Sequence, residues 1–167
     1  MDKAITRLGV SAVLAAATAL SGCVTSSNAN QPEVLEKTVS LSNCPNPAAE
    51  AGVTVFDDAA WAEHLEMAGD QLTAIDWTPD FSKQRVVLVR MGEKPTLGYA
   101  MAVEPPVPVK DSVVSMPVKA SSPPAGSIVG AALTSPCAYS LINIAEFKAL
   151  VVTNSADDSE MHRWEHP

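Results

Sequence analysis

The chain has 167 residues, of which 11 are Lys or Arg and 19 are Asp or Glu, so its formal net charge is -8 at pH 7. This acidic balance argues against binding to nucleic acid or to an anionic membrane face, because both would repel the protein. The length suits one domain that can bury a substantial core.

Residues 1–22 have the pattern of a bacterial lipoprotein signal peptide. Lys3 and Arg7 form a basic start, residues 8–20 are apolar, and Leu-Ser-Gly precedes Cys23. The apolar run is too short to span a bilayer as a helix of the mature protein. Cleavage would leave the Cys23 thiol to carry lipid, so the sequence predicts an acylated Cys23 that anchors the protein to a membrane on its extracytoplasmic side. An ordinary secretory signal with an incidental cysteine is the alternative.

Val24 follows the predicted lipidation site. Lipoproteins of enteric-type bacteria that stay in the inner membrane usually carry Asp at this position, so the similarity favours the outer membrane, on its periplasmic face or at the cell surface. Residues 23–43 are rich in Ser, Thr, Asn and Gln and predict a flexible tether. We expect a β-rich domain over 44–153 and a polar tail over 154–167.

Cys44 and Cys137 are the two cysteines that remain after lipidation of Cys23. In an oxidising compartment, an even pair distant in sequence is most simply a disulfide. Both cysteines adjoin a proline, which favours fixed loop or strand-edge positions over a reactive thiol. Two buried free thiols are the alternative.

The first ordered elements are predicted to be a short strand over 53–56 and a helix over 58–67. An Asp at position 57 or 58 can cap the helix, because a carboxylate accepts hydrogen bonds from the first free N–H groups. Trp61 and Leu65 lie one turn apart and predict an apolar stripe that docks on a sheet.

From residue 80 onward, short apolar runs alternate with Pro and Gly and lack a helical period. Strands are predicted at 86–89, 99–103, 113–118, 128–133, 139–144 and 147–152. The first is continuously apolar between two arginines, as expected of a strand covered on both faces. In 99–103, Tyr99, Met101 and Val103 share one face. Prolines, Pro117 among them, are expected on edges and in turns. The predicted fold class is α+β, mainly β: a small antiparallel sandwich or partly open barrel with one N-terminal helix.

Four motifs in this β-rich region go beyond fold class. They are Asp80-Phe-Ser-Lys83, Met-Gly-Glu-Lys-Pro-Thr-Leu-Gly-Tyr over 91–99, Pro123-Pro-Ala-Gly126 and Leu133-Thr-Ser-Pro136. Together they resemble the C-terminal domain of the PrcB-type lipoproteins, a family of protease complex subunits, over residues 61–150. Two departures are Leu97, where the family has Gly, and Cys137, where it has an aromatic residue. The resemblance implies a non-catalytic accessory lipoprotein that binds a protein partner, such as a secreted or surface protease.

The candidate partner-binding loop consists of Pro95, Thr96, Leu97, Gly98 and Tyr99. It is also similar to the Asn-Pro-Thr-Thr-Gly-Tyr loop of chagasin-type cysteine peptidase inhibitors, which implies inhibition as an alternative function. Proline limits backbone freedom before binding, and glycine permits close approach. An ordinary tight connection between strands remains open as an interpretation of this loop. An envelope scaffold without a protease partner remains open for the protein.

Catalytic and metal-binding motifs are not found in the sequence, which has no Gly-x-Ser-x-Gly elbow, phosphate-binding glycine loop or His-Glu-x-x-His. His64 lies on the predicted helix and could act as a base only beside a nucleophile. His162 and His166 have the spacing of helical metal ligands, but they lie in the predicted tail without a neighbouring cysteine. We therefore expect no catalytic residue, no metal and no cofactor, and as partners only a protein and the membrane that holds the lipid.

Overall fold

The computed structural model describes residues 33–46 and 49–167. Cys23 and the predicted signal peptide lie outside this part of the chain. The helices are α1 (Asp58–Ala68) and a 3-10 helix (Gly69–Leu72). The strands are β1 (Leu35–Leu41), β2 (Gly52–Phe56), β3 (Arg85–Arg90), β4 (Ala100–Val103), β5 (Val109–Lys110), β6 (Val113–Ser121), β7 (Cys137–Ile142), β8 (Ala149–Asn154) and β9 (Glu160–Glu165). No helix among the described residues is both long and apolar enough to cross a bilayer.

The strands form two sheets, which confirms the predicted mainly β sandwich with one helix. The first sheet has the order β1-β7-β3-β2 and is antiparallel throughout. The second has the order β4-β6-β8-β9, with β5 also paired to β6. It is mixed, because β6 and β8 run parallel. This parallel pair departs from the purely antiparallel prediction. It arises because the chain crosses to the first sheet as β7 between β6 and β8 and so returns in the same direction.

Strand β3 lies at the centre of the core. Residues 86–89 are all at most 1% exposed, which confirms that both faces of the predicted strand are covered. On one face, Leu88 is paired with Tyr139 of β7, whose ring packs against Trp61 of α1. Side chains alternate along a strand, so Val87 and Val89 point away from the helix, towards the second sheet. The fold therefore has three layers, with the helix outside the first sheet.

The predicted helix is present and extends one residue further, to Ala68. The Asp57 carboxylate caps it by accepting a hydrogen bond from the Ala60 N–H at 2.8 Å. The buried helical residues are Trp61, His64 and Ala68, whereas the Leu65 side chain is 41% exposed. The prediction that Trp61 and Leu65 dock together is thus wrong for Leu65. The buried stripe runs through positions 61, 64 and 68, and position 65 lies at its margin.

Two segments predicted as irregular form edge strands. Residues 35–41 of the predicted tether are β1, which pairs with β7, and residues 160–165 of the predicted tail are β9, which pairs with β8. His162 lies within β9, where the Trp164 ring also packs on Phe147 with a centroid distance of 5.4 Å. Edge strands expose much of their surface, so their composition is close to that of a loop. The boundaries at 43 and 154 are corrected accordingly.

The strand predicted over 128–133 is absent: these residues form an exposed loop. No neighbouring strand pairs with them, so their apolar character does not produce a strand. Pro117, expected at an edge or in a turn, lies inside β6. Its carbonyl accepts a hydrogen bond from the Glu104 N–H at 2.9 Å. The N and C=O of one strand residue point to the same side, so the missing N–H faces the segment between β4 and β5, beyond the last paired residue of β4.

Candidate functional site

The predicted partner-binding loop lies at one end of the sandwich, beside a second connection between the sheets. Residues 91–99 join β3 to β4, and residues 122–136 join β6 to β7. The last residue of β3, Arg90, is paired with the first of β7, Cys137. The first residue of β4, Ala100, is likewise paired with the last of β6, Ser121. Both connections therefore leave the sandwich at the same end and run next to each other.

Hydrogen bonds tie these two connections together. Lys94 and Thr134 exchange backbone hydrogen bonds at 2.7 and 2.9 Å. The Leu97 N–H donates to the Gly130 carbonyl at 3.1 Å, and the Thr134 hydroxyl donates to the Thr96 carbonyl at 3.0 Å. Four bonds across a short span hold the loop in one conformation. The loop does connect two strands, as its simplest interpretation requires, and it is also held from the side.

Two glycines allow the connections to pack this closely. Gly98 has φ of +91°, and a Cβ atom added there would lie 3.0 Å from the Pro123 ring. A Cβ at Gly130 would lie 2.7 Å from a methyl of Leu97. Leu97, the departure from the family pattern, has a conformation outside the left-handed region and covers Gly130. A side chain at this position is therefore accommodated by a glycine on the opposite connection.

The disulfide predicted between Cys44 and Cys137 is present at the base of the second connection. Both cysteines are at most 1% exposed, with Cα atoms 5.5 Å apart. The Cys44 N–H also donates to the Ser135 carbonyl at 2.7 Å, and the Met91 N–H donates to the Pro136 carbonyl at 2.9 Å. The structure thus has the predicted bond and not the alternative of two free thiols. The bond fixes the point where the second connection rejoins the first sheet.

We call residues 95–99 and 122–133 the uncharged tip, because none of them is Asp, Glu, Lys or Arg. Three large apolar side chains of the tip face solvent: Ile128 is fully exposed, Leu133 is 65% exposed and Leu97 is 47% exposed. Tyr99 is half-buried at its base, where the Lys94 ammonium lies 6.0 Å from the ring centroid. Exposed apolar side chains gathered on two adjacent connections are a feature of interaction sites.

His64 lies in a different place, in the aromatic layer beneath α1. Its Nε2 is 2.8 Å from the Tyr139 hydroxyl, and its ring packs against Phe56 and Trp61. Burial, and secondarily the charge of Arg90, lower the pKa of His64, and burial raises the pKa of Tyr139. Tyr139 is fully buried, so this pair belongs to the core. Apart from the position of His64 on the helix, no feature of the sequence predicts the pairing.

Metal-binding geometry is not found in the described part of the chain, where no group of three His, Cys, Asp or Glu side chains could hold an ion. His162 and His166 belong to β9 and the residue that follows its end, so their spacing is not that of helical ligands. Cys23 lies outside the described residues, and its lipidation stays a prediction.

Residues 85–143 match the family model described as PrcB C-terminal. The match confirms the resemblance identified from the motifs, over a shorter span than 61–150. It begins with β3, ends one residue after β7 and contains both parts of the uncharged tip. Neither a curated protein nor a solved structure matches the chain. The similarity to chagasin-type inhibitors stays a prediction.

Proposed function

We propose, because residues 85–143 match the PrcB C-terminal family model, that this protein is a non-catalytic accessory lipoprotein of a bacterial cell envelope. Its function is to bind a protein partner, a secreted or surface protease, by way of the loop 95–99. The observation that carries this proposal is the family match, since the family is named for a protease complex subunit and the matched segment contains the loop.

The loop has the physical properties of a binding element. Two hydrogen bonds hold it to the neighbouring connection and two more hold the preceding Lys94, so little conformational freedom is lost when a partner binds. Leu97 stays about half exposed despite this fixation, and burying it against a partner is worth roughly 1 kcal/mol or more.

Anchoring of the protein through lipid on Cys23 is the second part of the proposal. Buried acyl chains contribute about 0.8 kcal/mol per methylene, so several chains hold a soluble domain at a membrane without a spanning helix. The Val at position 24 supports the outer membrane. Cys23→Ser should move the protein from the detergent phase to the aqueous phase on phase separation, and unchanged partitioning would refute the anchor.

Partner binding is tested by affinity purification from cross-linked envelopes, followed by mass spectrometry. The wild-type protein is compared with Leu97→Asp, which places a charge in the loop, and with Ala59→Asp, which places one on the exposed first turn of α1. We expect a protease in the wild-type and Ala59→Asp samples and its depletion in the Leu97→Asp sample. Recovery of only structural envelope proteins, unchanged by Leu97→Asp, would favour a scaffold and contradict the proposal.

Protease inhibition is a second candidate, favoured by the fixed conformation of Pro95 and Gly98 in an exposed loop. It is tested with a papain-like cysteine peptidase and purified protein. Inhibition that saturates at one equivalent, survives in Ala59→Asp and is lost in Leu97→Asp would support it. A peptidase that keeps its full rate with excess wild-type protein would exclude this candidate for that class of peptidase.

A further inference from the structure

We propose that residues 122–133, to which no role has been assigned, form the principal contact of the binding surface, and that the protein partner receives Ile128 in an uncharged, apolar socket. This inference rests on the proposed function, because it specifies where and how the partner binds. It shifts the centre of the surface from the loop 95–99 to its neighbour.

The distribution of charge supports this surface. The chain carries a net charge of -8, yet no Asp, Glu, Lys or Arg occurs between Lys94 and Glu104 or between Lys119 and Glu146. Both uncharged stretches meet at the tip, so the tip is the place where a partner buries apolar surface without desolvating a charge. A partner surface that is complementary to the tip is therefore apolar and uncharged.

The exposure of individual side chains identifies the principal contact. Ile128 is fully exposed, and Leu133 is more exposed than Leu97. Ile128 directly follows a turn in which the Ser127 hydroxyl donates to the Pro124 carbonyl at 2.7 Å. The ring of Pro123 packs over Gly98. Ile128 is thus a projecting apolar side chain on a hydrogen-bonded support, which is the form of an anchor residue that enters a pocket.

The position of the N-terminus indicates that the partner is a protein, and not the anchoring membrane. Leu35 at the start of β1 pairs with Ile142, and Leu41 at its end pairs with Cys137, next to the tip. Leu35 therefore lies at the opposite end of the sandwich, about 20 Å from the base of the tip along the strand. The chain that would carry the lipid anchor enters the domain at that far end, on the side away from the tip.

The composition of the tip also disfavours lipid. Segments that bind a membrane surface combine apolar residues with a polar face rich in Lys and Arg, which anionic lipid attracts. The tip contains neither of these two residue types. Its apolar side chains are therefore suited to a protein socket, where shape and burial determine affinity.

The experiment uses photo-cross-linking of the full-length chain in its own cell envelope. The photoreactive amino acid benzoylphenylalanine is placed at position 128, at position 99 or, as a control, at position 59 on α1. We expect position 128 to give one adduct with a different protein, formed equally well in 1 M NaCl. Leu133→Asp in the same chain should reduce it at least tenfold, whereas Ala59→Asp should leave it unchanged. Thermal unfolding of the purified variants controls for folding.

The partner identified in the adduct is then purified for binding measurements. Ile128→Ser should weaken its binding roughly 10- to 100-fold, because an isoleucine side chain loses its burial, and Ile128→Val should weaken it by less than tenfold. An adduct of twice the mass of the chain would identify a second copy as the occupant and overturn the proposal. Attachment to lipid alone, or loss of the adduct in 1 M NaCl, would overturn it as well.

The result at position 99 separates this inference from the proposed function. An adduct with a protease from position 99 and none from position 128 would leave the proposed function standing and refute the socket for Ile128. Absence of a protein adduct at both positions would contradict both proposals.

Discussion

Removal of the Cys44–Cys137 disulfide should cost a large part of the stability of the domain. The bond closes a loop with a sequence separation of 93 residues. In the chain-entropy model, a loop of this length corresponds to about 4.6 kcal/mol at 25 °C. Domains of this size are stable by roughly 5–15 kcal/mol, so the protein without the bond should be only marginally folded. The melting temperature should fall by about 10–20 °C.

The assay is urea and thermal unfolding, followed by circular dichroism, of four proteins: wild type, Cys44→Ala, Cys137→Ala and the double variant. Each single substitution already breaks the bond. The double variant should therefore lose about as much stability as either single variant, and far less than their sum. This non-additivity distinguishes the bond from the packing of the two buried sulfur atoms. Additive losses, or a loss below about 1 kcal/mol in the double variant, would refute the reasoning.

Three further perturbations test the tip and the aromatic layer by urea unfolding. Gly98→Ala should cost about 1–2 kcal/mol of unfolding free energy, since it forces a side chain into a left-handed conformation against Pro123. The control Gly52→Ala, with no atom within 4 Å of its added Cβ, should cost less than about 1 kcal/mol. Equal losses would contradict the packing of the tip. Tyr139→Phe should cost about 1–3 kcal/mol, because it leaves the buried His64 without its hydrogen-bond partner, and a neutral result would argue against that bond. The pKa of His64 is lowered in the fold, so as pH falls the unfolded chain binds a proton at His64 before the folded protein does, and stability should decrease below about pH 6.5. His64→Gln should flatten this decrease between about pH 7.5 and 5.5. An unchanged slope would exclude His64 as its source.

The elements predicted correctly from the sequence are those whose residues carry their own local signal. The run 86–89 is apolar at every position, which occurs only where both faces of a strand are covered, and the structure covers both. In β4, Met101 and Val103 are buried while Ala102 is exposed, as the alternation of large and small residues predicts. The disulfide followed from the number of cysteines and the expected compartment.

The edge strands could not be predicted in the same way, because their formation depends on partners distant in sequence. Strand β1 buries none of its residues fully, and its backbone is ordered by hydrogen bonds to β7, about a hundred positions later. Strand β9 is similar, with Trp164 as its main apolar contact. For such strands the composition reflects exposure to solvent, and pairing is set by the neighbouring strand.

The failure at 128–133 has a different cause and bears on function. The apolar residues of this segment predict burial, and in the isolated chain Ile128 and Leu133 are exposed instead. A sequence rule that associates apolar residues with burial does not say in which molecule the burial takes place. The hydrogen bonds from Leu97 and Thr134 hold this segment and its neighbour together, so its exposure is maintained by structure. Local rules of folding are expected to fail where a segment serves a purpose other than folding, and we propose that this segment is such a place. The same residues that make the strand prediction wrong are therefore the ones that the proposed binding partner would bury.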